Sequence, residues 1–153
     1  MKNQKIIALN KSANFNYFIE EIFQAGIELV GTEVKSLRLG NCNIKDSFIN
    51  IKKNEAFIIN MHIANYKQGN IFNLDCRRSR RLLLNKFEIN KLNKLVSTKG
   101  FSIIPIRVYF KNSFIKIDIA LARGKKIFDK RREIAKNDIS RELERDFKIK
   151  YKE

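Results

Sequence analysis

The sequence predicts a mainly β fold: a small, closed or nearly closed antiparallel barrel of about six strands, with two to three short peripheral helices and a C-terminal tail that is disordered when free. Three observations lead there. Short runs of alternating apolar and polar residues are separated by turn residues, with no strand–helix–strand rhythm. The chain has 153 residues, 44% of them hydrophobic, enough for one domain with a real core, and closing the sheet is the economical way to remove its edges at this size. Beyond residue 122 the alternation gives way to a charged segment. The expected division is therefore 1–122, the barrel, and 123–153, the tail.

The elements follow in order. Lys5 to Leu9 reads as a short strand, and a short helix capped by Asn10 or Ser12 runs to about Asn16. From Tyr17 to Leu29 a long strand alternates Phe23, Ala25 and Ile27 against Gln24, Gly26 and Glu28, and Gly26 suggests a bulge or a close backbone approach. Thr32 is the expected N-cap of a compact helix that Gly40 ends, with Val34, Leu37 and Leu39 as its inward positions. Ile44 to Lys52 and Ala56 to Ile63 form a hairpin turning at Asn54. Asn65 to Ser79 is an aperiodic polar loop; with Arg77, Arg78, Arg80 and Arg81 it is either a candidate anion contact or a solvated loop. A helix follows from the Leu82 region to Thr98, stopped by Gly100. Phe101 to Phe110 and Ser113 to Ala122 make the clearest hairpin. Ile104, Ile106, Val108 and Phe110 share one face of it. Ile115, Ile117, Ile119 and Leu121 face inward on the return strand, with Lys116 and Asp118 outward. Pro105 belongs at an edge or a bulge.

Charge narrows the function. Thirty-two Lys and Arg face sixteen Asp and Glu, a net +16. Such an excess repels itself in a compact state, and a polyanion is the natural partner, nucleic acid first. The basic residues cluster: Arg123, Lys125, Lys126, Lys130, Arg131 and Arg132 crowd ten positions, opposed by Asp129. Neutralising them releases counterions from the polyanion. Gly124 supplies a backbone turn there, and Ile127 and Phe128 supply apolar anchors. Further on, Ile139, Leu143, Phe147 and Tyr151 recur every four residues, an amphipathic helix too short to be stable alone and expected to order on a partner.

Little supports catalysis. There is no phosphate-binding glycine loop, and His62, the single histidine, sits in an apolar strand as an expected structural residue. Cys42 and Cys76 form no CxxC pair and no disulfide framework, which fits a reducing cytosol. No apolar run approaches a membrane span. The expectation is a cytoplasmic, non-enzymatic binding protein without cofactor, metal or small-molecule substrate.

Several motifs occur together: FIEE at Phe18, AGIELVGTEVKSLRLGNCNIKDS from Ala25, LLLNK at Leu82, YFKN at Tyr109 and ALARGKKIFDKR from Ala120, with Asn10-Lys11 before the first helix. Together they resemble the SsrA-binding protein (small protein B) family over nearly all of residues 5–138. The resemblance implies an oligonucleotide-binding (OB) type barrel that binds the tRNA-like domain of transfer-messenger RNA and delivers it to stalled ribosomes for trans-translation. It implies RNA contacts from Asn10, Lys11, Gln24, Gly26, Leu83, Lys116 and Arg123. It also implies a tail (Gly124, Lys125, Lys126, Asp129, Lys130, Arg131) that enters the empty mRNA channel as a helix near the decoding centre. Gln24 stands where many members carry Glu, and Asn41-Cys42-Asn43 replaces a more usual Lys-Ala-Asn. The alternatives are a generic single-stranded RNA-binding or ribosome-associated OB-fold protein, stacking bases on Phe15, Tyr17, Tyr66, Phe72 and Phe114, and an RNA-modifying enzyme, which would need a cofactor or metal.

Overall fold

A computed structural model describes residues 4–67, 75–126, 130–132, 134–139 and 141. The elements are β1 (Gln4–Leu9), α1 (Ala13–Asn16), β2 (Tyr17–Ile27), α2 (Gly31–Arg38), β3 (Cys42–Asn43), β4 (Phe48–Lys52), β5 (Glu55–Ile59), β6 (His62–Ile63), β7 (Arg80–Leu83), α3 (Lys86–Lys99), β8 (Ser102–Lys111) and β9 (Phe114–Gly124). The main sheet runs β1-β8-β4-β5-β7-β2-β9, and β9 pairs back onto β8. Six strands thus close a barrel, while β1 adds to β8 from outside and β3 with β6 forms a separate two-stranded ribbon. Closure between β4 and β8 rests on one register pair, Ile49 with Ile103.

The interior follows the period-2 pattern. Phe23, Ala25 and Ile27 from β2, Ile58 from β5, Leu82 from β7, Val108 from β8, and Ile117, Ile119 and Leu121 from β9 fill it, with Leu37 of α2 and Leu92 of α3 packed in. A second, smaller core lies outside the barrel wall: Ala13 of α1 packs on Ile104, Ala120 and Ala122, flanked by Tyr17, Ile19 and Ile106. This explains why β9 is buried without a break from Ile117 to Ala122. Isoleucines and leucine point in, and the small alanines on the other face let the short helix lie close.

Bulges set the phase of the strands. The β8–β9 register shifts between Pro105 and Arg107, so the expected single face from Ile104 to Phe110 is split. Ile104 and Ile106 belong to the outer core, Val108 to the inner one. Pro105 lies at a bulge as predicted. In β2 the shift falls between Ile19 and Glu21 rather than at Gly26, leaving Phe18 and Ile22 exposed at 41% and 55%.

Other boundaries differ for local reasons. The expected strand from Ile44 breaks at a turn closed by the Ser47 hydroxyl, which donates to Ile44 O at 2.6 Å, so β4 starts at Phe48. Asn60 at φ +65° separates β5 from β6. Lys53 and Asn54, both at positive φ, make the tight β4–β5 turn. Helix α2 begins at Gly31, not after a Thr32 cap: the Glu33 carboxylate accepts the Val30 N–H at 3.1 Å. Gly40 and Gly100, at φ +79° and +67°, terminate α2 and α3 as predicted. Within α2, Leu37 is buried and Val34 half-buried, but Leu39 is 66% exposed. Ser12 precedes α1 without capping it; its hydroxyl donates to Asn10 Oδ1 instead. Residues 130–132, 134–139 and 141 are helical, so helix begins upstream of the Ile139 repeat. Leu143, Phe147 and Tyr151 lie outside the described residues, as does Phe72.

Candidate nucleic-acid interface

Strand β2 lies between β7 and β9, and its outer face is read from register. Gly26 sits opposite Leu83 on one side and Lys116 on the other. Gln24, two residues earlier on the same face, sits opposite Asp118. Four of the residues singled out in the sequence therefore meet on three adjacent strands: an exposed amide, a buried glycine, a half-exposed leucine and a lysine. Gly26 is glycine for a steric reason. A Cβ there would stand 3.2 Å from Leu83 Cβ and 3.3 Å from its Cδ1, so the close approach expected at this position is real and Leu83 covers it.

Beside Gln24, continuing across β9 onto β8, runs a polar network that sequence reading missed. Arg107 Nε donates to Asp118 Oδ2 at 2.7 Å, and the Tyr109 hydroxyl donates to Asp118 Oδ1 at 2.8 Å. Gln24 Nε2 donates in turn to the Tyr109 oxygen. The Arg107 guanidinium also stacks 4.7 Å from the Tyr109 ring centre. Burial, together with the Asp118 carboxylate and against the Gln24 hydrogen bond, pushes the Tyr109 hydroxyl above its ordinary pKa, so it keeps its proton. Asp118 faces outward as expected but is only 9% exposed. A signal existed: a lone acid between isoleucines, in a strongly basic chain, on the hairpin that also carries Arg107.

The remaining candidates form a second group around α1, near the opposite end of β9. Arg123 pairs in register with Phe18, seven residues from Lys116 and so roughly 20 Å along the strand. Arg123 and Lys125 lie over the Phe18 ring at 5.7 and 5.0 Å, and Lys130 lies over Phe15 at 5.9 Å. Lys125 is tied to α1 twice, its N–H to Asn16 O and its Nζ to Asn14 O. Gly124 ends β9, and Lys126 and Arg131 are exposed. Asn10 is engaged internally: its Nδ2 donates to Pro105 O and its N–H to Ile106 O, holding the β8 bulge. Lys11 is exposed in the turn before α1. Asp129 lies outside the described residues.

The SmpB protein family model matches residues 7–149. The chain belongs to the SmpB family. Among curated relatives it is 53% identical over 146 residues to the "SsrA-binding protein" of Lachnoclostridium phytofermentans, covering 95% of each chain. It is 56% identical to that of Caldanaerobacter subterraneus subsp. tengcongensis, covering 95% of this chain and 92% of the relative. It is 49% identical to that of Bacillus velezensis, covering 97% of this chain and 95% of the relative. A solved structure described as "tmRNA-SmpB: a journey to the center of the bacterial ribosome" contains a chain that superposes at TM-score 0.65 with 42% identity, over 78% of this chain and 84% of that one.

Of the four arginines considered as an anion contact in this SmpB-family chain, Arg78 and Arg80 are held inward by Glu33, while Arg77 and Arg81 stay exposed. Arg80 is 1% exposed and donates to Glu33 Oε2, Met61 O and Cys76 O. Arg78 reaches the same carboxylate, Nη2 to Oε1 at 2.5 Å. Arg77 donates to Asn60, and Arg81 lies 3.9 Å from both Glu28 and Glu55. Burial alone would raise the Glu33 carboxyl. The hydrogen bonds from Arg78, Val30 N–H and Arg80 more than offset it and hold it below the ordinary value. Burial pushes the Cys42 thiol up to about 12, against a smaller opposing effect of Arg80, so it is a packing group and not a nucleophile. His62 is half-buried in the ribbon opposite Asn43. Among the described residues no cluster of three or more His, Cys, Asp or Glu could hold a metal, and no helix is long and apolar enough to cross a membrane.

The aromatic residues weighed as a stacking platform are dispersed. Phe15 and Tyr17 lie at α1 and the start of β2, beside the Gly124 end of β9, whereas Phe114 begins β9. Tyr66 lies beyond β6, with the Lys35 ammonium 5.6 Å from its ring centre.

Proposed function

We propose that the chain binds the tRNA-like domain of transfer-messenger RNA through the outer face of β7, β2 and β9 and delivers it to ribosomes stalled without a stop codon. The observation that carries this reading is the Leu83–Gly26–Lys116 row with Gln24 beside it. An apolar surface for an unstacked base, a cation for phosphate and an amide for a nucleotide edge stand within three strands, with Gly26 letting Leu83 close over the row. That mixture suits RNA recognised by shape and 2′-hydroxyl or phosphate contacts. The names of the relatives and the ribosome-bound structure support the same assignment.

On this reading residues 1–122 carry the RNA-binding barrel and 123–153 the ribosome-directed tail, whose first two residues, Arg123 and Gly124, still pair in β9. Asn10 and Lys11 extend the barrel's RNA contacts at α1, with Arg123 beside Phe18 at the tail's root. Gly124, Lys125, Lys126, Asp129, Lys130 and Arg131 act near the decoding centre, where the tail probes the empty mRNA channel as a helix. The protein works by binding and delivery in the cytoplasm; it is not an enzyme and uses no cofactor or small-molecule substrate. The test is a titration against transfer-messenger RNA, an ordinary tRNA and an unstructured RNA at two salt concentrations. Preference for transfer-messenger RNA that survives the higher salt is expected. Equal binding to all three, collapsing with salt, would reduce the interface to generic charge attraction.

A further inference from the structure

The polar network that continues from Gln24 across β9 to β8 has a directional consequence. Asp118 is an acceptor only, and both its oxygens are engaged: Oδ2 by Arg107 and Oδ1 by the single proton of Tyr109. The Tyr109 oxygen, having given its proton away, can meet position 24 only as an acceptor. The Gln24 atom facing it must then be the nitrogen, which leaves Oε1 for the outer face beside Lys116 and Gly26.

We infer that Arg107, Asp118 and Tyr109 are positioning residues that lock the Gln24 amide in one orientation, so that position 24 offers the RNA a hydrogen-bond acceptor. This rests on the β7-β2-β9 face being the RNA-binding face. The ligand chemistry is an obligate donor, a base N–H; a 2′-hydroxyl both donates and accepts and would tolerate the reversed amide. An outward carboxylate at this position would present the same acceptor polarity without the charge balance found here. Two carboxylates would then flank one hydroxyl proton.

The relay makes a reversal prediction. In Asp118→Asn, Arg107 retains the side-chain oxygen, and the new amide nitrogen turns to Tyr109. The Tyr109 proton then goes to Gln24 Oε1, and the glutamine amide flips to show its NH2 outward. Binding to the tRNA-like domain should weaken about tenfold, the scale of one hydrogen bond lost at an interface. Gln24→Glu alone should also weaken binding. The double variant Asp118→Asn/Gln24→Glu should return to within about threefold of the unaltered protein. Tyr109 then donates to the introduced carboxylate, whose second oxygen accepts from the RNA.

Two single losses that cancel in combination are not expected of a merely structural Asp118. A double variant as weak as the weaker single one would overturn the relay, even while the unaltered protein still prefers transfer-messenger RNA. Loss of that preference would instead overturn the functional reading beneath it. Single 2′-deoxy substitutions in the RNA should all preserve the difference between the unaltered protein and Asp118→Asn, as a base N–H donor requires; one that removes it would place a 2′-hydroxyl there, able to meet either amide polarity, and would contradict the relay.

A second measurement holds if Asp118→Asn folds poorly. In Gln24→Glu the introduced carboxylate would face Tyr109 and Arg107 on β8 and Asp118 and Lys116 on β9. It should take a proton on acidification, so affinity should rise several-fold from pH 7 to pH 5 while the unaltered protein changes less than about twofold. A Gln24→Glu variant that matches the unaltered protein at every pH would contradict the relay.

Discussion

Single residues on the barrel face do work that composition does not reveal. Gly26 could be read as a bulge or as a close approach, and only register distinguishes the two: the bulge falls near Glu20, whereas Gly26 lies under Leu83. Gly26→Val should therefore force Leu83 outward and cost about 1–3 kcal/mol of stability, the scale of overpacking. Thermal melting checks this, and an unchanged melt would mean Leu83 gives way freely. Leu83 itself was legible as a surface candidate only through family resemblance, because a leucine in an LLLNK run reads equally well as core. Asp118 and Tyr109 were not legible as partners of Gln24. Their contact spans three strands, and cross-strand neighbours depend on the bulge at Ile106, which the period-2 pattern does not announce.

Elements were read best where one local rule dominated. Gly40 and Gly100 stop helices because the left-handed conformation is open to them. The β8–β9 hairpin follows from two alternating runs around a short turn, although the bulge between Pro105 and Arg107 shifts the phase within it. The reading failed where a distant partner decides. Helix α2 starts on a hydrogen bond from Val30 N–H to Glu33, and Glu33 also anchors Arg78 and Arg80 from the far side of the loop. Four arginines in sequence look alike, yet one is in the core. Strand β7 was hidden inside that run for the same reason.

The Glu33 carboxyl carries a pH signature. Its folded-state pKa lies below the ordinary 4.5, so it contributes stability above that value, lost as pH falls through the folded pKa. Glu33→Gln should destabilise the protein at pH 7 by about 3 kcal/mol, since Arg80 would keep a buried charge without its counter-ion. The gap between the two proteins should shrink below about pH 4.5. Chemical denaturation at neutral pH and again about one unit below that value measures it, and a constant gap would remove Glu33 from the stabilising ion pairs.

At the scale of the whole molecule, barrel and tail carry charge in different ways. Within the barrel, Arg80 is balanced by Glu33 and Arg107 by Asp118, leaving Lys116 on the face beside Gln24 and Gly26. The basic run from Arg123 begins at the other end of β9 and leans on Phe18 and Phe15. Two separated basic regions suit a protein that holds one RNA and probes another. Strand β9 runs to Gly124, and Lys125 is tied back to α1, so a cut that spares the barrel falls after Lys126. The decisive measurement is made on a chain ending there, assayed side by side for affinity to transfer-messenger RNA and for peptide tagging on stalled ribosomes in a reconstituted translation system. Affinity within a few-fold of the full chain, with tagging abolished, is the predicted result. RNA binding lost together with tagging would contradict the division between an RNA-holding barrel and a ribosome-probing tail.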